Sequence, residues 1–175
     1  ELDYETVASY SFKVYVSDNN AEKPLMDSVP VTVKVLDINE RPWADDLKIS
    51  VSEDAAVDSV LGSVVGHDLD KDTNKLTFSW VNLSEEETKL FRITPDGKVS
   101  LLDTLNYEAK KSYTLTVKVA DNGNPSLDST AKVYITVINV NEPPEVKDLE
   151  ITIPEDTPEL EKIGAFEVWD PENGK

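Results

Sequence analysis

The chain has 175 residues, with 35 Asp and Glu against 17 Lys and Arg, a formal net charge of −18. So acidic a surface excludes a generic nucleic-acid binder, whose phosphate contacts need basic side chains, and no apolar run reaches the roughly 18 residues that span a membrane. Cysteine is absent, which removes disulfide frameworks, thiolate zinc sites and thiol nucleophiles together.

The first predicted strands follow from a two-residue period: Phe12, Val14 and Val16 alternate with Lys13 and Tyr15, and Val31, Val33 and Val35 repeat the pattern. Asp27-Ser28 after Pro24 reads as a turn between them. Further strands are expected at Leu47–Ser52, Val60–Gly66, Leu76–Trp80, Phe91–Thr94 and Lys98–Leu102, with one helical turn at Glu85–Lys89. Leu115, Val117 and Val119, then Val133, Ile135 and Val137, complete the series across the turn signal Asn122-Gly123-Asn124-Pro125. No long stripe at a 3.6-residue period occurs. Seven short strands in about 102 residues point to an all-β, antiparallel two-sheet sandwich.

The sequence also repeats itself. Leu2-Asp3-Tyr4-Glu5 returns as Leu105-Asn106-Tyr107-Glu108, and the segment from Tyr10 returns from Tyr113, both at an offset of 103. Asp37-Ile38-Asn39-Glu40-Arg41-Pro42 returns from Asn139, Ile49 returns as Ile151, and Gly62 with Asp68 returns as Gly164 with Asp170, all at 102. One residue is therefore lost in the intervening loop. A period of this length fits a small β domain rather than a helical solenoid. Residues 43–144 then form one complete repeat, 1–42 the C-terminal part of a first, and 145–175 the N-terminal part of a third. A two-strand remnant is marginal alone, so the chain is expected to be a window on a longer tandem array; its charged opening does not read as a signal peptide.

Many carboxylates gather between repeats. Asp3, Glu5, Asp37, Glu40, Asp68, Asp70 and Asp121 lie around the first junction, with Asn39 and Asn74; Glu53, Glu108, Glu142, Asp170 and Glu172 lie around the second, with Asn106, Asn139 and Asn141. Two carboxylates about 5 Å apart repel by roughly 3 kcal/mol at an effective dielectric near 20. A cation would relieve this, and oxygen-only ligands favour a hard one, Ca²⁺ over Mg²⁺ in a flexible, high-coordination site.

On these residues the chain resembles tandem cadherin repeats. An Asp-x-Glu motif is similar to Asp3-Tyr4-Glu5 and, altered, to Asn106-Tyr107-Glu108. The Asp-x-Asn-Asp-Asn linker is approximated by Asp37-Ile38-Asn39-Glu40-Arg41 and Asn139-Val140-Asn141-Glu142-Pro143. An Asp-x-Asp motif matches Asp68-Leu69-Asp70 and, loosely, Asp170-Pro171-Glu172; x-Glu-x matches Glu53 and Glu155; and Asp121 and Asp18 match the lone aspartate. The resemblance implies Greek-key sandwiches of immunoglobulin-like architecture, without the Cys…Trp…Cys pattern of an immunoglobulin domain. It implies several Ca²⁺ ions at each junction, which stiffen the linker and make the array a calcium-dependent structural and adhesive ectodomain at the cell surface. The expected partners are neighbouring repeats and a homophilic or heterophilic adhesion partner, with no nucleic acid and no membrane insertion by this segment. It also marks departures: Glu40 and Glu142 replace Asp, Arg41 and Pro143 replace an Asn whose backbone carbonyl coordinates, and Asn106 lacks a carboxylate. The first junction is therefore expected to hold the fuller calcium set.

Other features have plainer readings. Asp72, Asp96 and Glu85–Glu87 are expected to be plain surface charges, and Asp18 and Glu155 are expected to serve junctions outside this segment. An EF-hand loop opening at Asp68 fails, because Thr73 and Ser79 stand where Gly and Glu are required. His67 reads as a strand-end structural residue, Trp80 as core and Trp43 as linker packing. Asn82-Leu83-Ser84 is an N-glycosylation acceptor, expected to be exposed after the third strand. Two other function classes stay open: a carbohydrate- or matrix-binding module, which wants an exposed aromatic platform, and an enzyme using paired carboxylates. Acids clustered at repeat ends and the lack of a histidine constellation favour a non-enzyme.

Overall fold

Alternating apolar residues form strands in the places their two-residue period predicts. The computed structural model describes residues 2–18, 20–70, 75–159 and 162–171. β1 (Ser9–Ser17) and β2 (Met26–Lys34) pair antiparallel, from Ser9 opposite Lys34 to Ser17 opposite Met26. The expected burial of Phe12, Val14 and Val16 does not follow. All three are exposed, Val16 at 65%, because this hairpin is a two-stranded sheet by itself and no second described sheet lies over it. Asp27 and Ser28 belong to β2 rather than to a turn; the chain reverses between β1 and β2 instead.

The central segment runs β3 (Trp43–Ala44), β4 (Leu47–Ser52), β5 (Val60–Ser63), β6 (Gly66–His67), β7 (Thr77–Val81), α1 (Glu85–Leu90), β8 (Phe91–Ile93), β9 (Lys98–Leu101), β10 (Ser112–Ala120) and β11 (Asp128–Ile138). One sheet has the order β4-β11-β10-β7 and the other β5-β9-β8, while β3 pairs with β6. Counting β3 with β4, and β5 with β6, as interrupted single strands restores the seven expected. The break at Asp45-Asp46 is where the chain changes sheets: Asp45 N–H donates to Val65 O at 3.0 Å, and Asp46 Oδ1 accepts the Lys132 N–H at 2.7 Å. Having crossed, β4 runs parallel to β11, so the sandwich is not wholly antiparallel.

Its core lies between the sheets. Tyr113, Leu115, Val117 and Val119 of β10 and Ala131, Val133, Ile135 and Val137 of β11 are buried on alternate positions, and all of these but Val119 cluster with Phe91, Val99 and Leu101. Phe91 meets Tyr113 edge-on, ring centroids 5.0 Å apart. Truncating one such large side chain to Ala costs about 2–5 kcal/mol. Trp80 is half-buried against this core, as expected. The short α1 starts on a capping box, in which Ser84 Oγ accepts the Glu87 N–H at 3.2 Å and Glu87 Oε2 accepts the Ser84 N–H at 3.0 Å.

Flanking segments copy this geometry bond for bond. Asp18 Oδ1 accepts the N–H groups of Asn20 and Leu25, as Asp121 Oδ1 accepts those of Gly123 and Leu127; the residue lost from the repeat falls inside this turn. β12 (Glu145–Val146) pairs with β13 (Val168–Trp169) in the register of β3 with β6. Gly62 packs against Leu47 and Ile49, and Gly164 against Leu149 and Ile151.

Candidate metal centre

Three separate stretches of chain build the first acidic cluster. Ligand oxygens of Glu5, Asp37, Glu40 and Asp70 all lie within 4.8 Å of one another. Asp70 is buried, and its Oδ2 accepts the Glu40 N–H at 2.9 Å. Asp68, also buried, accepts the Asp70 N–H at 2.9 Å, so the Asp-x-Asp motif closes as an Asx turn beside the linker. On the other side Asn39 Nδ2 donates to Asp121 Oδ2 and to Pro125 O, both at 3.0 Å.

The electrostatics show the strain of this convergence. Desolvation pushes the Glu40 carboxyl above the usual glutamate range, helped by the charges of Glu5, Asp70 and Asp37. A hydrogen bond to its own backbone lowers Glu5, but desolvation and the charges of Asp37, Asp70 and Asp3 outweigh it and hold Glu5 high. For Asp121 the balance reverses. Desolvation would raise it, yet hydrogen bonds from Leu127, Asn39, Gly123 and Ser126 keep it below the aspartate norm. Glu40 Oε2 is buried with no hydrogen-bond partner. A buried, unpaired carboxylate oxygen facing three further acids fits a cation of the hard, oxygen-seeking kind.

The second cluster is smaller and differently supported. Glu53, Glu108 and Glu142 bring ligand oxygens within 4.8 Å. Glu53 is 5% exposed, and its two oxygens accept the Tyr107 and Val140 N–H groups, each at 2.7 Å. Glu108 Oε2, like Glu40 Oε2, is buried without a partner.

The candidates divide accordingly. Glu5, Asp37, Glu40 and Asp70 come together, as do Glu53, Glu108 and Glu142. Asp68, Asn39 and Asp121 flank the first group through the bonds above. Asp3 is turned to Thr6, whose N–H and Oγ1 it accepts at 3.1 and 2.8 Å, and these bonds lower its carboxyl. The Ile38 side chain is exposed and Arg41 points to solvent. Val140 contributes its N–H to Glu53, Asn141 Nδ2 donates to Glu142 O at 3.4 Å, and Pro143 is exposed. Asp170 is half-buried but outside the group of three. Asn74 and Glu172 lie outside the described residues. Gly123, which the sequence marks only as part of a turn beside a candidate ligand, has a second role in the structure: any Cβ there would collide with the Asn39 side chain. His67 is structural, as expected: it stacks on Trp43 with centroids 5.2 Å apart, and its Nε2 lies 2.9 Å from Asp45 Oδ2.

Comparison with known proteins bears on the family and the fold. The Cadherin domain family matches residues 47–138. Human Cadherin-23 is 30% identical over 99% of this chain, and human Protocadherin beta-1 is 31% identical over 97%. The chain spans only 5% and 21% of those two proteins. Among solved structures, mouse Cadherin-23 EC22-24 is similar with a TM-score of 0.67 and 27% identity, covering 97% of this chain and 56% of that one. Protocadherin gammaB7 EC3-6, a cis-dimer, shares the fold at a TM-score of 0.71 and 19% identity, covering 97% and 45%.

Proposed function

Because this chain belongs to the cadherin family, we propose that it is a non-enzymatic, extracellular adhesive segment whose two inter-repeat junctions bind Ca²⁺ and stiffen on doing so. Its organisation is the C-terminal part of one repeat in 1–42, a complete repeat in 43–144 and the N-terminal part of another in 145–175. Neighbouring repeats and a homophilic or heterophilic partner on an opposing or adjacent surface are its interactants. No helix among the described residues is long and apolar enough to cross a membrane.

One observation carries the reading. Glu5, Asp37, Glu40 and Asp70 come from the end of one repeat, the linker and the start of the next, and still converge within 4.8 Å. Convergence of like charges from separately folding units is unfavourable unless a counter-charge joins them. Calcium supplies that divalent charge with a flexible shell of six to eight oxygens. Glu5, Asp37, Glu40, Asp68, Asp70, Asn39 and Asp121 would hold it at the first junction, with Asp3 at its margin. Glu53, Glu108, Glu142, Asn141 and Asp170 would serve the second. Glu53 is already oriented by two backbone N–H groups, so little side-chain freedom is lost there on binding. Asn106 leaves the second set one carboxylate short, so the first junction takes the fuller complement.

A carbohydrate-binding alternative needs an aromatic platform. In the central repeat the exposed aromatics are Trp43, already stacked on His67, and Tyr134 on β11, which do not make one. The test is thermal unfolding and limited proteolysis in CaCl₂ and in chelator. Calcium should raise the melting temperature and protect the linker around residues 37–42. An identical melting curve and cleavage rate in both would overturn the proposal.

A further inference from the structure

One exposed motif takes no part in the junction chemistry. Of the 11 asparagines, Asn82 alone heads an Asn-x-Ser/Thr triplet whose middle residue is not proline; Asn124-Pro125-Ser126 is barred by Pro125. Asn82 directly follows β7, the outer strand of its sheet. Its backbone turns left-handed there, φ 54°, a conformation Asn tolerates better than most residues. The side chain is exposed and bonds no other described residue.

We propose that Asn82 carries an N-linked oligosaccharide that covers the open β7 edge of the sandwich. The inference rests on the extracellular reading above, because the modification requires a secretory route. Asn82 Nδ2 attacks the anomeric carbon of a lipid-pyrophosphate-linked oligosaccharide. A C–N bond forms, the anomeric C–O bond breaks, the lipid pyrophosphate leaves, and the amide gives up one proton; nothing is oxidised or reduced.

The structure adds where and when. Val81 lies opposite Thr116 on β10, four residues from Ala120, which precedes the ligand Asp121. At about 3.3 Å per residue this puts Asn82 more than about 13 Å from the first junction, on the flank of the sandwich and clear of the linker. A glycan there occupies a strand edge that would otherwise template pairing with another chain. The acceptor triplet also needs the Ser84 hydroxyl, yet in the folded chain that hydroxyl is bonded to Glu87 within the α1 capping box. Transfer therefore precedes closure of α1, so the unfolded segment is the substrate.

The experiment is secretion of the full chain from a eukaryotic host, followed by intact mass and peptide mapping before and after an amidase that removes N-glycans and leaves Asp. The expected result is one oligosaccharide at Asn82 and none at Asn124. N82Q and S84A should lose it, whereas S84T, which keeps both the acceptor and a hydroxyl cap, should retain it. The unfolded peptide should accept glycan in vitro faster than the folded, unmodified chain. An unmodified Asn82 in secreted protein that still responds to calcium would overturn the inference. A glycosylated chain without a calcium response would overturn the junction proposal and leave this one standing.

Discussion

Asn39 and Asp121 are 82 positions apart, yet the Asn39 amide donates to the Asp121 carboxylate at 3.0 Å. That bond ties the linker to the turn that closes β10 onto β11. Asp121 is held in turn by the N–H groups of Gly123 and Leu127, and the absence of a side chain at Gly123 is what lets Asn39 approach. The linker is thus seated against the central repeat through protein bonds alone.

Gly123→Ala should unseat it. The added Cβ meets the Asn39 carboxamide, and two hydrogen bonds are lost together, each worth about 1 kcal/mol. Amide exchange in residues 37–42 should accelerate by about fivefold or more, since 1.4 kcal/mol is roughly tenfold. Asn39→Ala should give a similar change, and unaltered exchange in both variants would contradict the coupling.

Glu53 and Glu108 should separate structural support from metal ligation. Glu53→Ala leaves the Tyr107 and Val140 N–H groups without their acceptor, at about 1–3 kcal/mol for each buried donor left unpaired. Its melting temperature should therefore fall even in chelator. Glu108→Gln removes a charge from the acidic group and no such support, so it should melt near the parent in chelator and lose calcium stabilisation instead. Equal behaviour of the two variants in chelator would refute the division.

Acidity should stabilise the first junction when calcium is withheld. Glu5 and Glu40 sit above their ordinary value of 4.5 in the folded chain, so the folded state binds protons more readily than the unfolded one. Their contribution to stability is fully present below 4.5 and is lost as pH rises through the raised values. Asp121 acts oppositely, losing its contribution only as pH falls below 3.8. In chelator the melting temperature attributable to this cluster should decline on going from about pH 4.5 towards neutrality. Glu40→Gln should flatten that decline, and so should calcium.

The two junctions should also differ in calorimetric titration. Asn106 Oδ1 accepts the Ala109 N–H at 2.6 Å, as Asp3 Oδ1 accepts the Thr6 N–H at 3.1 Å. The turn therefore survives the exchange of Asp for Asn and only the charge is missing. Asn106→Asp should tighten calcium at the second junction several-fold, and Asp3→Asn should weaken the first. Equal stoichiometry and affinity at both junctions of the parent chain would sink the asymmetry.

Much of this was legible in the one-dimensional pattern. The period-two runs at Leu115–Val119 and Val133–Val137 became β10 and β11 with their apolar residues inward. The repeat offset marks equivalent turns, even the turn in which one residue is lost. The same runs misled at Phe12, Val14 and Val16, because alternation reports a face able to be buried and not whether anything covers it. The parallel pairing of β4 with β11 was likewise out of reach, since the crossing at Asp45-Asp46 leaves no periodic mark.

Residue types and spacing by themselves determined the fold class, the repeat and which carboxylates are candidates, because strand period and motif order are local properties of the chain. Only the tertiary structure decided which acids meet. Glu5, Asp37, Glu40 and Asp70 share a site because strand pairing brings three chain segments to one end of a sandwich. Asp3 has the same chemistry but is drawn to Thr6. Carboxylate repulsion and ligation act over a few ångströms of space, and distance along the chain does not measure that.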